Sequence, residues 1–337
     1  MQLPATLAKR VRTITPCNKI SSPAGKGGVI YWMSRDQRVQ DNWALIHARS
    51  LAVKHRVGLS VIFCLVPTFH EATIRQYGFM LTGLSEVETE LRGLGIPFHC
   101  LMGHPVETLP SFVEKHEACA LVSDFSPLRV GLAWKRDVAG KLPENVPLYE
   151  VDAHNVVPVW IASDKQEVGA RTIRKKITEK LPEWLSDFPT LEALPTADLP
   201  ETTASASDGD TATLRHSSAS VLASCGASTD WTAVRASLTI DRSVPEVGWC
   251  TPGYKAGMQA ARDFCDTRLK LFADKRNDPN VHALSDLSPY APLLPHFPDR
   301  ARHALHLLPA LGARCMLQVL PLWPGVAAAC GHDHQGA

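Results

Sequence analysis

Three short polar clusters each follow a run of apolar, strand-favouring residues. Ser34-Arg35-Asp36-Gln37-Arg38 follows residues 28–33, Ser123-Asp124-Phe125-Ser126 follows the run from Ala120, and Asp152-Ala153-His154-Asn155 follows the run 147–151. Carboxylates, guanidinium, imidazole and hydroxyls gathered in this way can hold a polar ligand by charge-assisted hydrogen bonds. The same groups can instead tie a strand-to-helix connection together as a salt-bridged turn, and physical chemistry alone favours that second use for the Arg-Asp-Gln-Arg cluster. A further stretch, Ser285-Asp286-Leu287-Ser288, offers hydroxyls and backbone N–H groups, which suit phosphate oxygens. It also suits an ordinary Ser-capped helix start at Ser285 or Ser288. Cys330-Gly331-His332-Asp333-His334 contains zinc-type donors but no second half, so no metal site is expected.

Elements that would position these groups can be read from hydropathy periods. Val29–Met33 reads as a strand, Asp41-Asn42-Trp43-Ala44-Leu45 as a helix start with Asp41 as its cap, and 58–66 as a strand buried on both faces. A helix is expected from about Tyr77 to Leu94, because Met80, Leu84, Val87, Leu91 and Leu94 recur three and four apart. Strands at 97–101, 120–123 and 147–151 alternate with helices at 107–116 and 128–142. The sum is an α/β fold, a doubly wound parallel five-stranded sheet over residues 28–194, whose strand ends carry the three clusters on one rim. No glycine-rich dinucleotide or triphosphate loop follows the first strand, which disfavours an ordinary nucleotide site.

Residues 1–27 form a basic lead-in, with a transit peptide as the competing reading. Residues 195–230 are rich in Ala, Ser and Thr and are expected to be a disordered linker. Residues 231–290 begin a helical domain, with a helix over 253–273 that buries Met258, Ala261, Phe264, Leu269 and Phe272. Residues 291–337 form an irregular tail in which prolines at 292, 295, 298, 309, 321 and 324 forbid long helices.

The formal charge of +1 rules out a uniformly basic nucleic-acid binder but not a local patch. Nine cysteines without a C-x-x-C pair, mostly in apolar runs, point to buried thiols and a reducing compartment. The longest apolar stretch, 305–323, is broken by Pro309, Arg314 and Pro321, so no membrane partner is expected. Trp32, Trp43, Trp134, Trp160 and Trp184 are read as packing rather than as an electron path.

The residues from Tyr31 to Leu45 closely resemble the first strand and turn of class II cyclobutane pyrimidine dimer photolyases, within the photolyase and cryptochrome superfamily. The resemblance continues through 121–129, 152–158 and Ala170-Arg171-Thr172-Ile173-Arg174-Lys175-Lys176-Ile177. It resumes with Val244-Pro245-Glu246-Val247-Gly248-Trp249, Pro252-Gly253-Tyr254 and Lys275-Arg276-Asn277-Asp278-Pro279, and ends with Ala283-Leu284-Ser285-Asp286-Leu287-Ser288-Pro289-Tyr290.

The resemblance implies an α/β antenna domain followed by the start of an all-α FAD-binding domain, and light-driven repair of cyclobutane pyrimidine dimers in DNA through reduced FAD. It implies FAD contact at Phe272, Leu284, Ser285, Asp286, Leu287 and Ser288, and a second, light-harvesting chromophore, a deazaflavin or a folate, near Arg35, Asp36, Ser123 and Asp124. UV-damaged DNA is the implied partner of a monomer, in the nucleus or else in a chloroplast or mitochondrion. Two positions depart from the pattern: Phe272 stands where the superfamily often has Tyr, and the Asp286 carboxylate would repel a diphosphate. After Tyr290 the resemblance stops, and the tail reads like out-of-frame or intronic sequence. Most of the flavin pocket, the tryptophan chain and the DNA face lie in the portion of the family pattern that has no counterpart here. No catalytic residue is therefore assigned, and repair by this truncated form is not expected. A non-enzymatic antenna or interaction module and a cryptochrome-like photoreceptor are the alternatives.

Overall fold

The computed structural model describes residues 3–20, 27–194 and 228–290. The Cys330–His334 fragment, the proline-rich tail and nearly all of the linker lie outside these residues.

Six strands build the sheet: β1 (Val11–Thr13), β2 (Val29–Met33), β3 (Leu59–Leu65), β4 (Phe98–Met102), β5 (Ala120–Asp124) and β6 (Leu148–Val151). Their order is β1-β6-β5-β2-β3-β4, and β2 to β6 run parallel. The five-stranded expectation thus gains an antiparallel edge, in which Val11 pairs with Val151 and Thr13 with Tyr149. Three residues are too few to show a period, so β1 was hidden inside a stretch read only by its charge.

Four helices cover the two faces: α1 (Thr6–Lys9) is a single turn before β1, whereas α2 (Trp43–His55) and α3 (Ile74–Gly93) pack on one face, and α4 (Pro105–Lys115) and α5 (Arg129–Ala139) on the other. Alternation along β2 divides the core. Val29, Tyr31 and Met33 enter the α2/α3 layer, and Ile30 and Trp32 the opposite one. The chain winds outward through β3 and β4, then returns past β2 to β5 and β6, so the winding reverses between β2 and β5. That reversal is the usual crevice for ligands in such sheets.

Helix α2 is capped by Asn42, not by Asp41. The Asn42 Oδ1 accepts from Ala44 N and Leu45 N at 3.0 and 3.1 Å, while Asp41 sits at φ +54° with its carboxylate turned to the Tyr254 hydroxyl. Helix α3 starts three residues before the expected Tyr77, because Thr73 and Gln76 form a reciprocal capping box.

After α6 (Val159–Ala162) and α7 (Ala170–Trp184) come α8 (Trp231–Ser237), α9 (Tyr254–Asp263) and α10 (Leu269–Lys275). The single helix expected over 253–273 is interrupted by a π turn at Phe264–Arg268. Phe264, Leu269 and Phe272 still close on one another as a small core, and Ala261 is buried, but Met258 is only partly so. Residues 229–255 lie along α3. Asp241 O accepts from Ile74 N at 2.9 Å, the Arg235 guanidinium donates to Thr82 Oγ1 at 3.0 Å, and Trp231 Nε1 donates to Glu88 at 2.7 Å. Gly253, at φ +113°, lies so close to Glu86 that a Cβ would meet its carboxylate at 1.9 Å.

Candidate functional site

At the sheet's reversal point the three rim clusters meet. The Asp124 carboxylate accepts from three successive backbone N–H groups, Ser34 and Arg35 at 2.9 Å and Asp36 at 3.1 Å, and from the Tyr31 hydroxyl at 2.6 Å. The neighbouring Asp36 carboxylate takes the Arg38 guanidinium at 2.6 Å and His154 Nδ1 at 3.0 Å. Asn42 Nδ2 donates to the Tyr31 hydroxyl and to the Asp36 and Arg38 carbonyls, tying the turn to the helix it caps. Burial by itself would raise Asp36, but Arg38, then His154 and Arg35, outweigh it and hold the carboxyl well below the usual range. Burial and the adjacent Asp36 charge push Asp124 the other way, against the Tyr31 and backbone hydrogen bonds. Burial also pushes the Tyr31 phenol up, so it stays a donor.

The clusters therefore form the salt-bridged turn. Asp36 and Asp124 are completely buried, and Ser123 is 1% exposed with its hydroxyl on Tyr149 O at 3.3 Å. Of the four rim residues expected to touch a second chromophore, Ser123 and Asp124 direct their polar atoms to partners inside the protein, and Asp36 uses Oδ1 for Arg38 and His154 while its Oδ2 is buried without a hydrogen-bond partner. Arg35 alone keeps a partly exposed side chain.

The other expected cluster is open. Residues 276–284 border a cleft of about 540 Å3 whose lining includes Arg276, Asn277, His282 and Leu284. Leu284 is 45% exposed and Ser288 is exposed, whereas Ser285 and Leu287 are half-buried. Ser288–Tyr290 forms a 3-10 turn, and Tyr290 packs edge-on against Phe79 of α3 at 5.8 Å. Asp286, at φ +55°, points its carboxylate at Arg268 (3.2 Å) and His282 (2.5 Å). The charge expected to repel a diphosphate is thus met by a guanidinium on the π turn. Phe272 does not join this cleft. It is 3% exposed, edge-on to Phe264 at 5.8 Å and with the Arg276 guanidinium over its ring at 5.6 Å, so its ring packs in the small helical core.

Glu88 and Arg10 are among the buried charges that had no signal in the sequence. Glu88, spaced like any solvated helix acid, is 5% exposed and accepts from Thr229 N, Thr229 Oγ1 and Trp231 Nε1. Arg10, inside the basic lead-in, is 1% exposed, donates to the Asp152, Asn155 and Val156 carbonyls and lies between the Trp43 and Trp184 rings at 5.0 and 4.9 Å. Among the described residues no group of three His, Cys, Asp or Glu side chains could hold a metal, and no helix is long and apolar enough to cross a membrane. The six described cysteines are free thiols, and burial pushes Cys64 and Cys100 up to about 12.

A doubly wound domain whose rim is tied by a buried Asp-Arg-His turn continues into a helical segment laid along α3 that ends in a serine-bearing loop. The chain belongs to the DNA photolyase family, whose model matches residues 29–197. It is 47% identical over 261 residues to the deoxyribodipyrimidine photo-lyase of Potorous tridactylus, covering 77% of this chain and 44% of the relative. The photo-lyase of Arabidopsis thaliana is 40% identical over 281 residues, covering 78% of this chain and 50% of the relative. The chain thus spans about half the length of the curated relatives it matches. A Synechocystis cryptochrome superimposes with a TM-score of 0.58 at 15% identity, covering 87% of this chain and 59% of that one. A class III photolyase from Agrobacterium tumefaciens gives 0.56 at 18% identity, covering 90% and 58%. At these identities the two structures show a shared fold.

Proposed function

We propose that these residues form the α/β domain and one flank of the flavin site of a deoxyribodipyrimidine photolyase, which uses FAD and light to split cyclobutane pyrimidine dimers in DNA. The observation that carries this reading is the 47% identity over 261 residues to a deoxyribodipyrimidine photo-lyase. Bound reduced flavin would supply the photoexcited electron. The residues of the 276–288 loop fit one side of a dinucleotide. Arg276 and the Arg268–Asp286 pair leave the loop without an unbalanced negative charge, the Ser285 and Ser288 hydroxyls suit phosphate oxygens, and Leu284 and Leu287 offer apolar contact. A dimer already pairs and stacks poorly, so flipping it from the helix is comparatively cheap.

One flank does not exclude water from an isoalloxazine, and electron transfer to the dimer competes with quenching by solvent. Repair therefore requires further helices around the flavin than the described residues supply. The test is titration of the purified 337-residue protein with FAD, followed by blue illumination with a dimer-containing oligonucleotide. Saturable flavin binding without repair is the expected result. No binding at saturating FAD would remove the cofactor assignment, and monomer release under light would show that one flank is enough.

A further inference from the structure

Away from the rim and the flavin loop, α5 and the edge strand β1 border a second cleft of about 350 Å3, with Arg12, Leu132, Lys135, Arg136, Ala139 and Glu150 in its lining. Glu150 is sealed from solvent and accepts from both Arg12 Nε and Lys135 Nζ. Lys135 lies buried and feels both the Glu150 and the Asp124 carboxylates, so the cation presented to the cleft is the partly exposed Arg12 guanidinium. The Arg12 guanidinium carbon lies over the Trp160 ring at 4.7 Å while 43% of the side chain stays exposed, and its contact with Glu150 is through Nε. Arg136 stands at the mouth, 77% exposed, with its Nε on the Asp137 carboxylate at 3.0 Å. Leu128 and Leu132, four residues apart on one face at the start of α5, are 46% and 43% exposed. The cleft thus joins two planar, solvent-reaching guanidinium forks to an apolar wall.

We infer that this cleft binds a small organic anion, with its carboxylate or phosphate between Arg12 and Arg136 and its apolar body along Leu132 and Ala139. Guanidinium forks match the paired oxygens of either group, and the stacking on Trp160 pre-orients one fork before the ligand arrives. This inference is independent of the flavin-loop reading, since no residue is shared.

Phenyl phosphate, benzoate, benzyl alcohol and inorganic phosphate are titrated separately into the full chain and followed by calorimetry. Saturable binding is expected for phenyl phosphate or benzoate, and whichever binds more tightly identifies the anionic group. Benzyl alcohol, lacking charge, and inorganic phosphate, lacking the apolar body, are each expected to bind at least about tenfold more weakly. Arg136→Gln, a change at an exposed side chain, should weaken the aromatic anion about tenfold with no change in Tm. Arg12→Lys, which keeps the charge on Glu150 but loses the fork, should weaken it as well. No saturable binding by either aromatic anion, equal binding of benzyl alcohol, or an unchanged affinity in Arg136→Gln would overturn the assignment and leave the three cations a purely structural group.

Discussion

The Arg38 guanidinium and the Asp36 carboxylate meet at 2.6 Å with both side chains sealed from water, 1% and 0% exposed. Such a pair stabilises little relative to an apolar isostere, but removing one partner strands the other charge in a low dielectric. Arg38→Met is therefore expected to cost about 3–5 kcal/mol in urea unfolding. Breaking the exposed Lys9–Glu183 pair by Glu183→Gln should cost less than about 1 kcal/mol. Equal losses from the two variants would show that water reaches the rim turn.

Glu88 is the fastening point between α3 and the start of the helical segment, because its two oxygens take Thr229 N at 2.8 Å and Trp231 Nε1 at 2.7 Å. Glu88→Gln keeps the shape but removes the charge that strengthens both bonds. Local opening of residues 229–237 should become easier by about 1–3 kcal/mol, seen as faster amide exchange there and a red shift in Trp231 emission. Unchanged exchange in 229–237 would mean that the apolar contacts of Trp231, such as that with Phe98, hold the segment unaided.

The five parallel strands and the helices between them were legible because buried parallel strands are written as unbroken apolar runs, as in 59–65, and helices as three-and-four spacings, as in α3. The rim was legible as a cluster, and the salt-bridged turn as the favoured use of residues 35–38, but not the way its carboxylates face. Whether Asp36 and Asp124 face inward depends on backbone N–H groups of Ser34 and Arg35 converging on one carboxylate, and sequence carries no mark of that convergence. Burial of single charges is equally silent. Glu88 and Arg10 sit among polar neighbours in the chain, and only tertiary partners 141 and more residues away explain them. The π turn at Phe264–Arg268 is a one-residue adjustment that hydropathy periods cannot resolve.

Acid should destabilise the α/β domain through His47. Burial holds this imidazole down at about 4, with Tyr149 edge-on at 5.6 Å. In the unfolded chain an imidazole titrates near 6.5, so between roughly pH 6.5 and 4 the unfolded state binds the extra proton and stability falls as pH is lowered. The full loss is on the order of 3 kcal/mol. His47→Leu removes the titrating group, and its stability should be flatter across that window. A slope identical to that of the parent protein would assign acid sensitivity to the carboxylates instead.

Arg268 and Asp286 lie 3.2 Å apart, on the π turn and in the serine loop, and the sign of the charge beside the proposed diphosphate depends on both. Arg268→Met leaves the carboxylate facing the loop with His282 as its remaining partner, and repulsion should then weaken FAD about fivefold to tenfold in an absorbance titration. Asp286→Asn alone removes the repelling charge and leaves the guanidinium free for phosphate, so affinity should hold or rise. The double variant decides the cause. If Arg268 acts by neutralising Asp286, adding Asp286→Asn to Arg268→Met recovers most of the lost affinity. Losses that simply add would mean that Arg268 contacts the phosphates directly, and that Asp286 acts mainly to hold the loop at its left-handed backbone angle.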